Sequence, residues 1–209
     1  MHSRTDYSNY LYHWIKPSKP FNTQEEAYEQ AYNIMEEIFD AGYLKASGRD
    51  TYKKIESVCF TESPAEIMKS QNSKYQPFGF AFLKSDIFDM GGRHVIYQTK
   101  DEAKFLPASL HWRHVTYNPQ DVGPSKPNGI DFTWEREWRL NVKKLDILDC
   151  HSVILPNEYW IERLKEDIQR WKEFPARMWR DIGVSTDPGP YPKYIRDYIE
   201  CFNALYTEK

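Results

Sequence analysis

The sequence predicts an α+β fold with a curved or split, mostly antiparallel sheet, an N-terminal helix and a C-terminal helical cap. Short β-forming segments follow one another up to residue 156, one amphipathic helix interrupts them early, and the rest of the chain has a helical pattern. Strands and helices that occur in separate runs, instead of alternating one by one, favour α+β over a parallel sheet. We therefore expect an α+β domain over residues 1–156 and a helical extension, packed on it, over 157–209.

The first two elements have the clearest signals. Tyr10–Ile15 is rich in β-forming residues and apolar on both faces, which predicts a central strand. Thr23 followed three residues later by Glu26 has the spacing of a capping box, and an apolar stripe runs from Ala27 to Phe39 at helical intervals. Gly42 is a natural end for that helix.

The remaining segments are shorter. We expect a helix to begin at Ser63 and run through Met68, a turn capped by Ser85, and an exposed proline-rich and glycine-rich loop over residues 118–129. Asn157 is the expected cap of a long helix, and a proline linker leads to a final amphipathic helix near the C-terminus. The expected strands are residues 57–60, 78–83, 94–97, 110–117, 132–140 and 152–155, with a short helix over 101–105.

Charge and cysteine content exclude some classes of protein. The chain has 28 Lys and Arg residues and 31 Asp and Glu residues, so nonspecific electrostatic binding of nucleic acid or anionic lipid is not expected. Three widely spaced cysteines do not form a disulfide framework or a zinc site. Because no long apolar run is present, we expect no membrane association and a cytoplasmic location.

Several motif-based chemistries are absent from the sequence. There is no P-loop, no glycine-rich dinucleotide fingerprint, no nucleophile elbow and no zinc-protease motif. His111 and His114 would share a face only on a helix, and their surroundings favour a strand, so we expect no metal.

The segment Thr133–Leu140 combines charges with tryptophans. In an extended strand, Glu135, Glu137 and Arg139 would share one face and both tryptophans the other. One interpretation is a solvated face, on which Glu137 and Arg139 pair weakly, worth at most about 1 kcal/mol. The other is a pair of cleft carboxylates that Arg139 positions and the tryptophans hold rigid.

Two other positions have both a structural and a functional interpretation. His13 lies between Leu11 and Ile15 on one strand face, which is typical of a core histidine, but it could also donate to a ribose hydroxyl or a phosphate. Thr61 and Glu62 lie where a strand ends, which is typical of a turn, but backbone N–H groups at the start of a following helix could bind an anion.

Six segments of the chain carry a resemblance to a known family: Leu11–Trp14, Ile38–Leu44, Cys59–Pro64, Tyr75–Phe82, Gly91–Tyr97 and Glu135–Arg139. Together they resemble the AbiGi-type abortive-infection family of bacterial phage-defence proteins. The resemblance covers roughly residues 10–156, and its most distinctive parts are Cys59–Glu62 and Glu135–Arg139. The same layout is similar, more distantly, to the DarT-like and CmdT-like ADP-ribosyltransferases.

The resemblance implies a catalytic domain that uses NAD as a substrate. Glu137 would match the catalytic glutamate, with Glu135 orienting or deprotonating the acceptor. A fixed carboxylate near the ribose favours the positive charge that develops when the nicotinamide–ribose bond breaks. The positions that would contact NAD are His13, Thr61, Tyr97 and Arg139, with Tyr43 as another stacking tyrosine.

The acceptor and the partner stay open at this point. Trp112, Arg113, His114 and Tyr117 could stack on an unpaired base of an RNA or DNA acceptor, or form an edge strand. Some members of the resembling family are antitoxins, so the alternative is a non-catalytic regulator that binds a cognate toxin, another protein or nucleic acid. A third hypothesis is a glycoside hydrolase, because carboxylates about 6.6 Å apart along a strand approach the lower limit of inverting enzymes, about 6.5 Å.

Overall fold

The computed structural model describes residues 8–48, 51–63, 75–124 and 128–181, with side chains of the last helix described through residue 170. The fold is α+β with a mostly antiparallel arrangement of strands. The helices are α1 (Gln24–Ala41), α2 (Lys84–Asp89) and α3 (Glu158–Asp181). The strands are β1 (Tyr10–Trp14), β2 (Tyr43–Lys45), β3 (Val58–Thr61), β4 (Gly79–Leu83), β5 (Arg93–His94), β6 (Ile96–Gln98), β7 (His114–Thr116), β8 (Glu137–Leu140), β9 (Lys144–Asp146) and β10 (Ser152–Ile154).

Six of these strands form one antiparallel sheet in the order β10–β4–β1–β3–β8–β5. Strands β2 and β9 form a separate antiparallel pair, and β6 and β7 form a parallel pair. The central position predicted for the first strand is confirmed, since β1 has β4 on one side and β3 on the other.

The predicted ends of α1 are confirmed. The Thr23 hydroxyl accepts a hydrogen bond from the backbone N–H of Glu26, at 3.2 Å, and the Glu26 carboxylate accepts one from Asn22 N–H, at 2.7 Å. Gly42 has φ of 76°, a left-handed conformation that glycine adopts without strain, and its N–H donates to the Ile38 carbonyl.

The two faces of the sheet carry different clusters. Leu11 and the β4 phenylalanines Phe80 and Phe82 lie in the main core, with buried side chains of α1 and α3. Tyr12 and Trp14 belong to a second cluster on the other face. Because Gly79 of β4 has no side chain, β4 can approach β1 closely; a Cβ there would lie 2.6 Å from the His13 carbonyl oxygen.

The C-terminal helix starts as predicted. Asn157 accepts a hydrogen bond from the backbone N–H of Trp160, and α3 begins at Glu158. Trp160, Leu164 and Ile168 lie in the main core, so this part of the helix shares one core with the strands. Three predicted features lie outside the described residues: the helix at 63–68 (apart from Ser63), the proline linker and the final helix. The predicted domain boundary at residue 156 stays a prediction.

Some local predictions are wrong. Residues 132–136 are not extended: a 3₁₀ turn covers Thr133–Glu135 and Arg136 has φ of 49°, so only Glu137–Leu140 is a strand. The expected strand at 94–97 is two short strands, and residues 101–105 form a 3₁₀ turn over Glu102–Phe105. Another 3₁₀ turn, Ala108–Arg113, precedes β7 where one strand was expected. Ser85 lies within α2 and does not cap it.

Candidate functional site: a cavity where two central strands separate

A cavity of about 580 Å³ lies where β1 and β3 separate. Strand β1 pairs with β4 along its whole length, but with β3 only through Tyr12 and Thr61. Residues on both sides of the resulting gap, Tyr12–Lys16 and Ser57–Thr61, line the cavity. The volume is within the range of small-molecule binding sites, about 300–1,000 Å³.

His13 bridges the gap between the separated strands. Its Nδ1 lies 2.9 Å from the Cys59 carbonyl oxygen. A carbonyl oxygen can only accept, so Nδ1 carries the proton and Nε2 is an acceptor in the neutral ring. Burial lowers the pKa of His13; the Cys59 carbonyl opposes this effect and the charge of Lys16 adds to it. The imidazole is therefore held neutral at physiological pH.

Glu137 and Arg139 form a fixed pair on one face of β8. Arg139 Nε donates to Glu137 Oε1 at 2.7 Å, and another guanidinium nitrogen donates to the carbonyls of Trp112 and His114 at 3.0 and 2.9 Å. Arg139 is only 3% exposed, and both side chains line the cavity. Glu137 is thus a partly buried carboxylate that Arg139 holds in place, as the interpretation with cleft carboxylates requires. The two residues are not a solvated surface pair.

Glu135 also lines this cavity, but not from the strand on which it was predicted to lie. It lies in the 3₁₀ turn before β8 and is 6% exposed. The Tyr75 hydroxyl donates to Glu135 Oε2 at 3.3 Å. Burial raises the pKa of Tyr75, and the charges of Glu135 and Glu137 raise it further, so the phenol stays a proton donor. The two carboxylates therefore converge without sharing one strand face.

The prediction that Trp134 and Trp138 support one face is wrong. Trp138 lies in the main core, and its indole N–H donates to Glu62 at 3.0 Å. Trp134 packs against the second cluster with Tyr12 and Trp14, on the opposite side of the sheet. The left-handed conformation of Arg136 between them breaks the alternation of side chains on which the prediction depended.

Most of the predicted site residues meet in this cavity. Thr61 is 4% exposed and lies between Tyr12 and Glu137 in the sheet register. Tyr97 and Tyr43 are not among the described residues that line it. The Tyr97 hydroxyl instead accepts from Glu137 N–H and donates to the Phe132 carbonyl, so it supports the start of β8. The predicted residues that line the cavity are His13, Thr61, Glu135, Glu137 and Arg139.

Several lining residues were not predicted. Tyr12 and Trp14 stack with ring centroids 5.4 Å apart, and Tyr75 adds a third aromatic wall. The alternation of aromatic residues at positions 10, 12 and 14 could have predicted that Tyr12 and Trp14 share one face of β1. The Cys59 thiol also lines the cavity, and burial, with a contribution from Glu137, raises its pKa to about 11. A thiol with this pKa is a poor nucleophile at neutral pH.

Glu62 forms a separate buried cluster next to the site. It is 2% exposed and contacts Lys84, His94 and Arg136 at 2.9–3.2 Å, in addition to the Trp138 indole. Burial alone would raise the pKa of Glu62, but hydrogen bonds from His94, Lys84 and Trp138 outweigh burial and hold it well below its ordinary value. This carboxylate joins β3, α2 and β8, which is a structural role.

The two histidines considered for a metal have other contacts. His111 Nε2 lies 2.9 Å from the Leu106 carbonyl, and the Tyr52 ring packs against both His111 and His114. In the described part of the chain no group of three His, Cys, Asp or Glu side chains could hold a metal ion. Among the same residues, no helix has the length and apolar character needed to cross a bilayer.

Comparison with known proteins identifies no relative of this chain: no protein-family model, no curated protein and no solved structure matches it.

Proposed function

We propose that the chain is an NAD-dependent ADP-ribosyltransferase whose reaction takes place in the cavity between β1 and β3. The observation that carries the proposal is the convergence of Glu137, fixed by Arg139, with Glu135 and the neutral His13 in one cavity of ligand size. An anchored carboxylate beside aromatic walls suits the cleavage of a bond between a ribose and a planar base.

The reaction breaks the bond between ribose C1′ and the nicotinamide nitrogen, and the bonding electrons leave with nicotinamide. Glu137 accepts a hydrogen bond from a ribose hydroxyl and stabilises the positive charge on C1′ more in the transition state than in the ground state. An acceptor oxygen or nitrogen then bonds to C1′ and gives up its proton. Glu135, in contact with the Tyr75 hydroxyl, is the base that takes that proton.

Fixed groups around the carboxylates support this assignment. Arg139 holds one oxygen of Glu137 and is itself anchored by two backbone carbonyls, so the carboxylate needs little reorganisation during the reaction. Strands β1 and β3 stay in one sheet but pair through a single residue of each and then diverge, and this cleft supports an ADP-ribosyltransferase-like arrangement. Tyr12, Trp14 and Tyr75 provide faces on which the bases of NAD stack.

A nucleic-acid acceptor fits the surface beside β8. Trp112 and Arg113 are partly exposed, and Arg113 Nε donates to the His94 carbonyl of the edge strand β5. Burial lowers the pKa of Arg113 and the charge of Arg93 lowers it further, so this surface carries two positive charges. We propose an RNA or DNA acceptor, a role in phage defence or in a toxin–antitoxin system, and, since the thiols of Cys59 and Cys150 are unpaired, a cytoplasmic location.

The test is transfer of label from ³²P-NAD to separate pools of RNA, DNA and protein. The proposal predicts labelling of one pool by the wild-type chain and its loss in Glu137→Gln, which keeps the shape of the side chain. Glu166→Gln on the exposed surface of α3 is the matched control and should label normally. No labelling by wild type, together with co-purification of a stable protein partner, would favour the non-catalytic regulator instead.

A further inference from the structure

The edge of strand β5 that faces away from β8 presents two backbone carbonyls. Strand β5 is the last strand of the six-stranded sheet, and just after it the N–H of Val95 donates to the Glu137 carbonyl of β8 at 3.0 Å. Because the backbone groups of successive residues point to opposite sides of an extended strand, the carbonyls of Gly92 and His94 point away from β8. These carbonyls form the outer edge of β5 and lie roughly 6.6 Å apart along the strand.

Two arginines, which we call the arginine pair, bind this outer edge. Arg93 Nη1 donates to the Gly92 carbonyl at 2.6 Å and to the Phe88 carbonyl of α2 at 2.7 Å. Arg113 Nε donates to the His94 carbonyl at 2.8 Å. The two guanidinium groups are therefore held on alternate carbonyls of one strand edge. Burial lowers the pKa of Arg113 and the charge of Arg93 lowers it further, as expected for two cations on the same edge.

The arginine pair has no counter-charge from the protein. In the described part of the chain, neither guanidinium lies within ion-pair distance of a carboxylate. The other arginines whose side chains are described each pair with one; they are Arg136, Arg139, Arg163 and Arg170. Both side chains of the arginine pair are partly exposed, and none of their nitrogens that lack a carbonyl partner is buried. An anion in contact with both groups would supply the missing charge.

Aromatic rings lie beside the arginine pair. The Arg93 guanidinium lies 3.9 Å from the centroid of the Phe88 ring, and Phe88 is 47% exposed although it is a large apolar side chain. Trp112, which directly precedes Arg113, is also partly exposed. Proteins that bind single-stranded nucleic acid combine cationic groups, which contact the backbone, with aromatic faces on which the bases stack.

The arginine pair is connected to the cavity through the segment that precedes β7. The carbonyls of Trp112 and His114 accept hydrogen bonds from Arg139, which lines the cavity and holds Glu137. Arg113 lies between these two residues in the chain. A ligand that binds Arg113 therefore contacts the same segment that anchors Arg139.

We infer that Arg93 and Arg113 together bind one backbone phosphate of a single-stranded nucleic acid at the outer edge of β5. The inference deepens and rests on the proposed function, because it gives the acceptor strand a defined contact outside the cavity. The planar guanidinium group forms paired, charge-assisted hydrogen bonds with phosphate oxygens. The exposed rings of Phe88 and Trp112 favour a nucleic acid over inorganic phosphate, since they offer faces to its bases.

The first measurement is the affinity of the full chain for labelled single strands of DNA and RNA of about 12 nucleotides, followed by fluorescence anisotropy without NAD. Arg93→Gln and Arg113→Gln should each weaken binding on the order of tenfold, since each loses charge-assisted bonds to phosphate. Because both arginines contact the same phosphate, the double variant should lose less than the product of the two single effects. Its slope of log affinity against log salt should be smaller by about 0.7, the value for one phosphate of a single strand.

The second set of measurements contains the controls. Lys165→Gln also removes one positive charge, from an exposed pair with Glu162 on α3, and should leave the affinity within about twofold of wild type. Arg113→Lys keeps the charge but loses the planar fork, so it should keep the salt slope and lose part of the affinity. A strand of the same length without bases should bind on the order of tenfold more weakly than the strand with bases. Urea unfolding of each variant checks that the fold is retained.

The outcomes separate this inference from the proposed function. Binding that is weakened in the arginine variants and kept in Lys165→Gln supports the inference, even when wild type releases no nicotinamide from NAD and the proposed function fails. Three results would overturn the inference while leaving NAD cleavage untouched: no binding of either strand by wild type, wild-type affinity in Arg93→Gln/Arg113→Gln, or an equal loss in Lys165→Gln. Equal affinity for the strand without bases would also overturn it, because the surface would then bind any polyanion.

Discussion

The Nδ1–H of His13 donates to the backbone carbonyl of Cys59, 2.9 Å away, at the place where β1 and β3 stop pairing. In a continuous antiparallel ladder, a backbone N–H of β1 would take that carbonyl. The imidazole therefore replaces a backbone hydrogen bond and allows the strands to separate without leaving the carbonyl unsatisfied. Because the neutral ring has given its one N–H to Cys59, Nε2 can only accept, so a bound hydroxyl would have to donate to His13 and could not accept from it.

Removal of this donor should destabilise the fold. His13→Leu leaves the Cys59 carbonyl without its partner, which costs about 1–3 kcal/mol in the free energy of unfolding. His13→Gln retains an N–H group and should lose less. Urea unfolding of both variants tests this, and a His13→Leu protein as stable as wild type would show that the hydrogen bond contributes nothing.

The free energy of unfolding should fall at acidic pH because two histidines take up protons when the chain unfolds. Burial lowers the pKa of His13 and His114 below the ordinary value of 6.5 in the folded chain. The unfolded chain therefore binds more protons below about pH 6.5, and their contribution to stability is present above that pH and is lost as the pH falls. The free energy of unfolding of wild type should decline from about pH 6.5 downward, and this slope should be smaller in His13→Gln/His114→Gln. Equal slopes would contradict the assignment.

Removal of the Glu62 charge should lower the stability of the fold. Glu62→Gln leaves Lys84 and Arg136 beside a neutral group, and because both cations are partly exposed we expect a loss of about 1–3 kcal/mol in the free energy of unfolding. Glu56→Gln, which breaks the exposed pair with Lys143, is the control and should change stability far less. Similar unfolding midpoints for the two variants would show that the cluster is not structural. The pKa of Glu62 is held below its ordinary 4.5 in the folded chain, so the stability that this carboxylate contributes is lost only below pH 4.5. This range lies below the pH range in which the two histidines act.

The guanidinium of Arg139 should matter for the reaction as well as for stability. A lysine cannot reach Glu137 and the carbonyls of Trp112 and His114 together, so Arg139→Lys should lower the transfer rate on the order of tenfold. Arg163→Lys changes a guanidinium that pairs with Glu29 outside the cavity, and should keep the full rate. If both variants transfer at the wild-type rate, Arg139 does not position the carboxylate.

Local signals in the sequence were sufficient for α1, for the start of α3 and for five of the strands. Thr23, Glu26 and Gly42 mark the ends of α1 because capping depends on residues close in sequence. The strands β1, β3, β4, β8 and β10 were predicted from β-forming runs, with boundaries shifted by one residue except at the start of β8, which lies five residues later than predicted. The pairs β2–β9 and β6–β7 depend on long-range pairing of very short segments, which no local pattern specifies.

The site was predicted in part for a similar reason. Glu137 and Arg139 lie on β8, where alternation holds, and the structure brings them to the cavity as a fixed pair. Glu135 reaches the cavity only because Arg136 adopts a left-handed conformation, and arginine gives no sequence signal for that. Tyr75 enters the cavity from a distant part of the chain, so its contact with Glu135 is a tertiary feature.

The most direct test of the proposed chemistry is the release of nicotinamide from NAD by wild type and by Glu137→Gln under single-turnover conditions. We predict a rate at least about 100-fold lower in the variant, as expected when a group that stabilises transition-state charge is removed, with the dissociation constant of NAD within about threefold of wild type. Equal rates of nicotinamide release in the two proteins, or no release by wild type with saturating NAD and acceptor, would contradict catalysis by this carboxylate.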